Sequence, residues 1–178
     1  MKKKLLFIIV LLLITGCSMF GSTPDTTVKN FFNKYRNNDE TVVSELNDYL
    51  NSEDMDEETL KEYKEVYLRQ YSNIDYKIKD TKIDGDKANV EVEIKVYDYY
   101  KTNNETSDYF NDNKDKFLKE DGDIDINKYI EYRINKLLET TDQVTYTLNL
   151  NLVKTDDTWE IEPLTNEELE KIHGTYAY

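Results

Sequence analysis

Nine consecutive residues in which apolar and polar side chains change places at every step constrain this chain more than any other feature. Ala88, Val90, Val92, Ile94 and Val96 alternate with Asn89, Glu91, Glu93 and Lys95. Strand side chains project to opposite faces with a period of two, so this stretch reads as a strand with one buried and one wet face. A wet face belongs to an antiparallel sheet, because parallel strands are covered on both sides. Just upstream, Ile74, Tyr76 and Ile78 alternate in the same way, and Asp84-Gly85-Asp86 supplies a turn. The two runs predict a hairpin. Val144, Tyr146, Leu148, Leu150 and Leu152, the Asp156-Asp157 turn, and Trp159 and Ile161 predict a second one.

The rest of the body has the helical period. Thr23-Pro24-Asp25 is a helix start: a capping hydroxyl, proline at the first position, then an acid. Val28, Phe31, Phe32 and Tyr35 follow at helical spacing, and Asn37-Asn38-Asp39 ends the run. Val42, Val43, Leu46, Tyr49 and Leu50 predict a second helix, and Leu60, Tyr63, Tyr67 and Tyr71 a third. Between the hairpins, Tyr109, Phe110, Phe117 and Leu118 predict a weak helix. Ile126, Tyr129, Ile130, Ile134, Leu137 and Leu138 predict a strong one, capped by Asp123 or Asp125. A last helix starts at Thr165 or Asn166 and closes at Gly174. The fold class is α+β: an antiparallel sheet of two hairpins packed on N-terminal helices, with a helical insert at about 101–141.

The first seventeen residues have a different character. Lys2, Lys3 and Lys4 precede ten unbroken apolar residues, Leu5 to Ile14. As a helix these reach roughly 15 Å, about half the hydrocarbon core, which suits a signal peptide better than a membrane span. Ile14-Thr15-Gly16-Cys17 then resembles the lipobox of bacterial lipoproteins. The resemblance implies diacylglycerol on the Cys17 thiol and cleavage by signal peptidase II between Gly16 and Cys17. Two acyl chains at roughly 0.8 kcal/mol per buried methylene anchor firmly. The expected organisation is a signal peptide at 1–16, the lipidated cysteine and a short tether at 17–23, and one α+β domain at 24–178. The expected location is the extracytoplasmic face of the cell membrane.

Charge narrows the partners. The formal net charge is −14, and loss of three lysines and no acids with the leader makes the mature part −17. A chain this acidic, with lysines scattered among acids, lacks the basic stripe that nucleic-acid binding needs. Fifteen tyrosines and six phenylalanines exclude a disordered composition. One cysteine and one histidine exclude an internal disulfide, a multi-cysteine zinc site and a histidine-pair metal site. Nothing implies a cofactor.

An N-terminal helix, a bent antiparallel sheet and a late Trp159-Glu160-Ile161 strand resemble the NTF2-like (cystatin-like) lipoproteins of low-GC Gram-positive bacteria. The Tyr97-Asp98-Tyr99-Tyr100-Lys101 and Leu169-Glu170-Lys171-Ile172-His173-Gly174 stretches are similar to theirs. The resemblance implies a pocket between sheet and helices, but no activity.

Few residues invite a chemical reading. Asp84 and Asp86 read as a turn before they read as a cation site. Asp121-Gly122-Asp123-Ile124-Asp125 fails the EF-hand pattern, because glycine is not at position 6 and Tyr132 stands at position 12. It reads as a solvated loop that caps the next helix. His173 lies in a last helical turn, where an imidazolium suits the helix dipole, and a capping role is expected. No nucleophile motif accompanies it, so no catalytic residue is assigned. Tyr97, Tyr99, Tyr100, Tyr109, Tyr129 and Tyr132 read chiefly as packing around the insert, and alternatively as a binding surface for peptide or sugar. Asn104-Glu105-Thr106 matches the glycosylation pattern without a bacterial meaning.

The expected function is a membrane-anchored, non-enzymatic binding or adaptor module of the cell envelope, with the 101–141 insert as the expected contact region for an envelope protein. A small-ligand pocket protein is the alternative, and a carboxylate-based hydrolase of cell-wall polymer is a third reading.

Overall fold

The computed structural model describes residues 22–51 and 55–178 of the 178-residue chain. Gly16, Cys17 and the rest of the leader and lipobox lie outside the described residues. In chain order the elements are α1 (Pro24–Arg36), α2 (Glu40–Asn51), α3 (Glu57–Ser72), β1 (Asp75–Asp84), β2 (Lys87–Tyr97), α4 (Tyr99–Asp112), a 3-10 turn (Lys114–Phe117), α5 (Ile126–Glu139), β3 (Gln143–Thr155), β4 (Thr158–Ile161) and α6 (Asn166–His173). The class is α+β, as the change of period from 3.6 to 2 predicts.

The two hairpins merge into one four-stranded antiparallel sheet of order β1-β2-β3-β4. The joint is the longest pairing in the molecule, in unbroken register from Lys87 opposite Val153 to Tyr97 opposite Gln143. That register places Val90, Val92, Ile94 and Val96 beside Leu150, Leu148, Tyr146 and Val144 on one face. The first three pairs are buried. A fully buried Val, Leu or Ile side chain stabilises by roughly 1.5–3 kcal/mol, so this face is the main source of sheet stability. The opposite face carries exposed Thr145, Thr147, Asn149 and Asn151 on β3, and Asn89 donates to Asn151 across it at 3.0 Å. The turns use backbone that favours particular residues. Gly85 takes a positive φ of 60° at the first turn position, and Asp156 and Asp157 both take positive φ, as a two-residue hairpin turn of type I′ requires.

Helices α1 and α6 lie on the buried sheet face, and α3 packs against α1, α2, α5 and α6. Val28 and Phe32 of α1 are fully buried, and the Phe32 ring stacks on Tyr76 at 4.6 Å. The predicted starts hold at Thr23, which forms a capping box with Thr26, and at Thr165, which forms one with Glu168. Ser22, inside the expected tether, is fixed to the domain: its hydroxyl accepts from the Trp159 amide at 2.8 Å.

The insert departs from expectation at its first helix. Phe117 and Leu118 do not share a helix with Tyr109 and Phe110, because α4 stops at Asp112 and the chain turns through the 3-10 segment. That turn returns Phe117 onto its neighbours. Its ring lies 5.3 Å from Phe110, 5.7 Å from Tyr132 and 6.0 Å from Tyr129. Asp125, not Asp123, caps α5 by accepting from the Lys128 amide.

Candidate functional site

Helix α3 organises the site. Tyr63, Val66, Tyr67, Gln70 and Tyr71 recur at helical spacing, which turns one stripe inward. Within that stripe Gln70 is fully buried. Its carbonyl oxygen accepts from the Tyr97 amide at 2.9 Å, and its amide nitrogen donates to the Tyr97 and His173 carbonyls at 3.0 and 2.9 Å. One side chain thereby joins α3 to the end of β2 and the end of α6. Gly174 completes the joint with a left-handed φ of 73°, and its carbonyl accepts from the Tyr100 amide at 2.7 Å. A Cβ on Gly174 would sit 2.1 Å from the Tyr97 oxygen, so no other residue fits there without displacement.

On α3, Arg69 serves the insert. Its guanidinium donates to the Thr140 carbonyl at 2.7 Å and the Leu137 carbonyl at 3.3 Å, and lies 3.8 Å over the Tyr97 ring. These are carbonyls at the α5 C-terminus that the helix leaves unbonded. Tyr99 is buried beneath, and its hydroxyl donates to the Val66 carbonyl at 3.1 Å. Burial, opposed by Arg69, raises its pKa and keeps the phenol protonated.

His173 does not serve as a charged cap. Its ring sits among Tyr67, Tyr71 and Tyr49, with centroids 4.9, 5.8 and 5.9 Å away. Burial in that cage pushes its pKa down to about 4, so it is neutral at pH 7. The Tyr71 oxygen lies 2.9 Å from Nε2. Burial raises the Tyr71 pKa and holds the phenol protonated, which makes Tyr71 the donor and Nε2 the acceptor. The dipole argument fails here because desolvation of the ring outweighs the attraction of a helix end.

Beside this cage lies a cavity of about 200 Å³. Its walls are Tyr49 and Leu50 of α2, Met55 just ahead of the α3 cap, Tyr63, Val66 and Tyr67 of α3, Tyr99 and Asn103 of α4, Arg133 and Leu137 of α5, and Thr175. No strand residue lines it. The expected position between sheet and helices is corrected: Val28 and Phe32 of α1 and the apolar side chains of β2 and β3 fill that layer, whereas the cavity is lined from α2, α3 and the insert. Among the described lining residues none is acidic, although the chain has 37 acids. Arg133 is the one cation. It donates to the Tyr63 hydroxyl. Its Nε is buried and, with Asn38 Oδ1, is one of two buried side-chain polar atoms without a hydrogen-bond partner among the described residues. Burial lowers its pKa, the mark of a cation held away from water.

The remaining sequence candidates divide. Tyr109, Tyr129 and Tyr132 join Phe110 and Phe117 in the half-buried cluster that holds the insert together, with Tyr109 stacked on Tyr132 at 5.0 Å. Tyr97, Tyr99 and Tyr100 sit apart from it at the β2–α4 junction. Asp84 and Asp86 flank the Gly85 turn, and Asp121 accepts from the Asp123 amide within its own loop. Among the described residues no group of three His, Cys, Asp or Glu side chains is placed to hold a metal ion. Asp98 is the buried carboxylate among them. It caps α4 through the Lys101 amide at 2.9 Å and accepts from the Tyr178 hydroxyl at 2.6 Å. A hydrolytic carboxylate pair would need a second buried acid nearby, and the described residues place none there. Asn104-Glu105-Thr106 lies within α4.

Sequence gives no warning of Gln70 or Arg133. Both sit in helices dense with charged and polar residues, and only the burial of the stripe behind them marks them out. Among the described residues no helix is long and apolar enough to cross a membrane.

Comparison with known proteins gives one solved structure to set beside this chain. It is ycdA of Bacillus subtilis, described as an inferred lipoprotein, with a TM-score of 0.47 and 14% sequence identity over 88% of this chain and 51% of that one. The chain thus spans about half the length of that protein. No family model matches the chain, and no curated protein sequence matches it.

Proposed function

We propose that the protein is a lipid-anchored extracytoplasmic binding module that holds a small ligand in the cavity between α2, α3, α4 and α5. The anchor rests on the sequence alone: the basic start, the ten-residue apolar run and Ile14-Thr15-Gly16-Cys17. The cavity carries the binding reading, because its aromatic and aliphatic walls with a few polar groups are the usual make-up of a small-molecule site.

The two ends of the molecule agree with this division of labour. Ser22 docks on Trp159, which pairs with Lys154 near the Lys87 end of β2. Five chain steps from Cys17 to Ser22 span at most about 17 Å, so that end stays close to the bilayer. Tyr99 of the cavity follows the other end of β2, eleven residues and roughly 35 Å away. The cavity therefore lies at the end of β2 remote from the tether.

The test fractionates cells producing wild type and Cys17→Ala, and weighs the intact wild-type protein released from membranes by native mass spectrometry. Wild type in the membrane fraction, a variant that leaves it, and a small-molecule mass bound one to one are the expected results. A variant as membrane-bound and lipid-labelled as wild type would end the anchor reading. A wild type with no bound mass, and none acquired from a metabolite extract, would end the pocket reading. The insert supplies a second reading, since Leu118 and Ile126 at its tip are 42% and 52% exposed. A protein partner cross-linked in cells by wild type, and lost on changing both residues to Asp, would favour an adaptor.

A further inference from the structure

We propose that the cavity takes a small organic monocarboxylate, with Arg133 receiving the carboxylate and the tyrosines flanking its body. This rests on the pocket reading and adds the ligand's chemical class. Three observations carry it. The first is the wall composition. In a chain with 37 acidic residues and a net charge of −14, the described lining holds one cation and no acid. A wall made for a cation or a sugar would carry carboxylates, and this chain has them in abundance elsewhere.

The second is the state of Arg133. A guanidinium has five N–H donors in a fixed fork and no way to shed its charge. Here one donor goes to the Tyr63 hydroxyl, and Nε is buried with no partner among the described residues. No carboxylate among them lies within ion-pair distance of it. Arg133 stands on the cavity wall, and the terminal nitrogens of a guanidinium fork match a carboxylate in two parallel bonds, while the buried Nε stays behind them. The Tyr63 and Tyr129 rings, 5.4 and 6.0 Å from the guanidinium carbon, lie too far to satisfy an N–H by hydrogen bonding.

The third is size. An apolar protein cavity of about 150 Å³ holds a benzene ring, so about 200 Å³ suits a ligand of roughly eight to ten non-hydrogen atoms. Benzoate has that size and charge, and benzamide has its shape without the charge. The full lipidated chain, extracted in detergent, is titrated with each and binding is read by ligand-observed NMR. A charge-assisted pair is worth roughly tenfold or more over a neutral one, so benzoate should bind at least about tenfold tighter than benzamide. Arg133→Gln should bring the two within about twofold. That comparison within wild type needs no variant, so a misfolded Arg133→Gln cannot rescue the proposal.

Equal binding of benzoate and benzamide overturns the inference and leaves the pocket reading intact. Binding of neither compound, in a wild type that still acquires a neutral mass from extract, does the same. Glu53 and Asp54 lie outside the described residues and precede Met55 of the wall. If wild type rejects benzoate but the Glu53→Gln/Asp54→Asn variant accepts it, the chain's own carboxylate meets Arg133 and the inference is overturned. Absence of any bound small molecule in every form ends both readings together.

Discussion

His173 predicts a loss of stability in mild acid that one substitution should remove. The ring is neutral in the folded protein, with its pKa pushed down by burial from 6.5 to about 4. Above pH 6.5 neither the folded nor the unfolded chain protonates it, and it makes no difference to stability. As the pH falls below 6.5 the unfolded chain binds a proton that the folded chain refuses, so unfolding becomes easier. The slope is about 1.4 kcal/mol per pH unit, and it ends near pH 4, where the folded ring protonates too. The total is about 3 kcal/mol, trimmed to about 2 between pH 7 and pH 5, a sizeable share of the roughly 5–15 kcal/mol of a typical domain. The chain has one histidine. Asp39, Asp56 and Asp157 are held below 3.8, by the Thr41 hydroxyl, the Thr59 amide and Lys154 respectively. What they contribute is present above 3.8 and is lost only as the pH falls further. Trp159, the one tryptophan, is buried in β4 and reports unfolding by fluorescence. Urea unfolding from pH 7.5 to 4.5 should show the slope in wild type and a flat profile in His173→Asn. An equal slope in both proteins, or none in wild type, would refute the buried neutral ring.

Two further perturbations address the joint at the end of β2. Gly174→Ala puts a Cβ 2.1 Å from the Tyr97 oxygen at a φ of 73°, and should cost about 3 kcal/mol or more in the same urea assay. Gln70→Leu keeps the volume but strips three hydrogen bonds and leaves the Tyr97 amide, the Tyr97 carbonyl and the His173 carbonyl unmatched. At about 1–3 kcal/mol for each buried orphan, a loss of roughly 3–5 kcal/mol is expected, with amide exchange fastest at the ends of β2 and α6.

The fold was more legible than the site, for a physical reason. Strand alternation from Ala88 to Val96 records burial directly, because each step changes faces and only one face meets the core. Helix starts were equally open to reading at Thr23 and Thr165, where the capping hydroxyl is local. Phe117 lies in a different element from the one its spacing predicts, because its apolar character answers to Phe110, Tyr129 and Tyr132, which a 3-10 turn and α5 bring back to it. A helix dipole is local to its own helix end, whereas the charge on His173 is decided by Tyr49, Tyr67 and Tyr71 from two other helices. The cavity had no sequence signal because it is space left between α2, α3 and the insert, and no residue spacing encodes a gap.

That gap is informative because most of its wall is already committed to holding the molecule together. Tyr99 donates to the Val66 carbonyl, the Tyr63 hydroxyl accepts from Arg133, and Leu50, Val66 and Leu137 belong to the core. Tyr49 and Tyr67 are shared with the His173 cage, so cavity shape and the charge on His173 cannot change independently. A cavity that is only a packing flaw is lined by apolar groups, because a buried polar group without a partner is costly. Here an arginine stands on the wall instead, with its Nε buried and unmatched and no acid in the lining, both among the described residues. An arginine so placed costs stability unless something meets its charge, and that cost is what the tyrosine-walled space, at the end of β2 remote from Ser22, would recover on binding an anion.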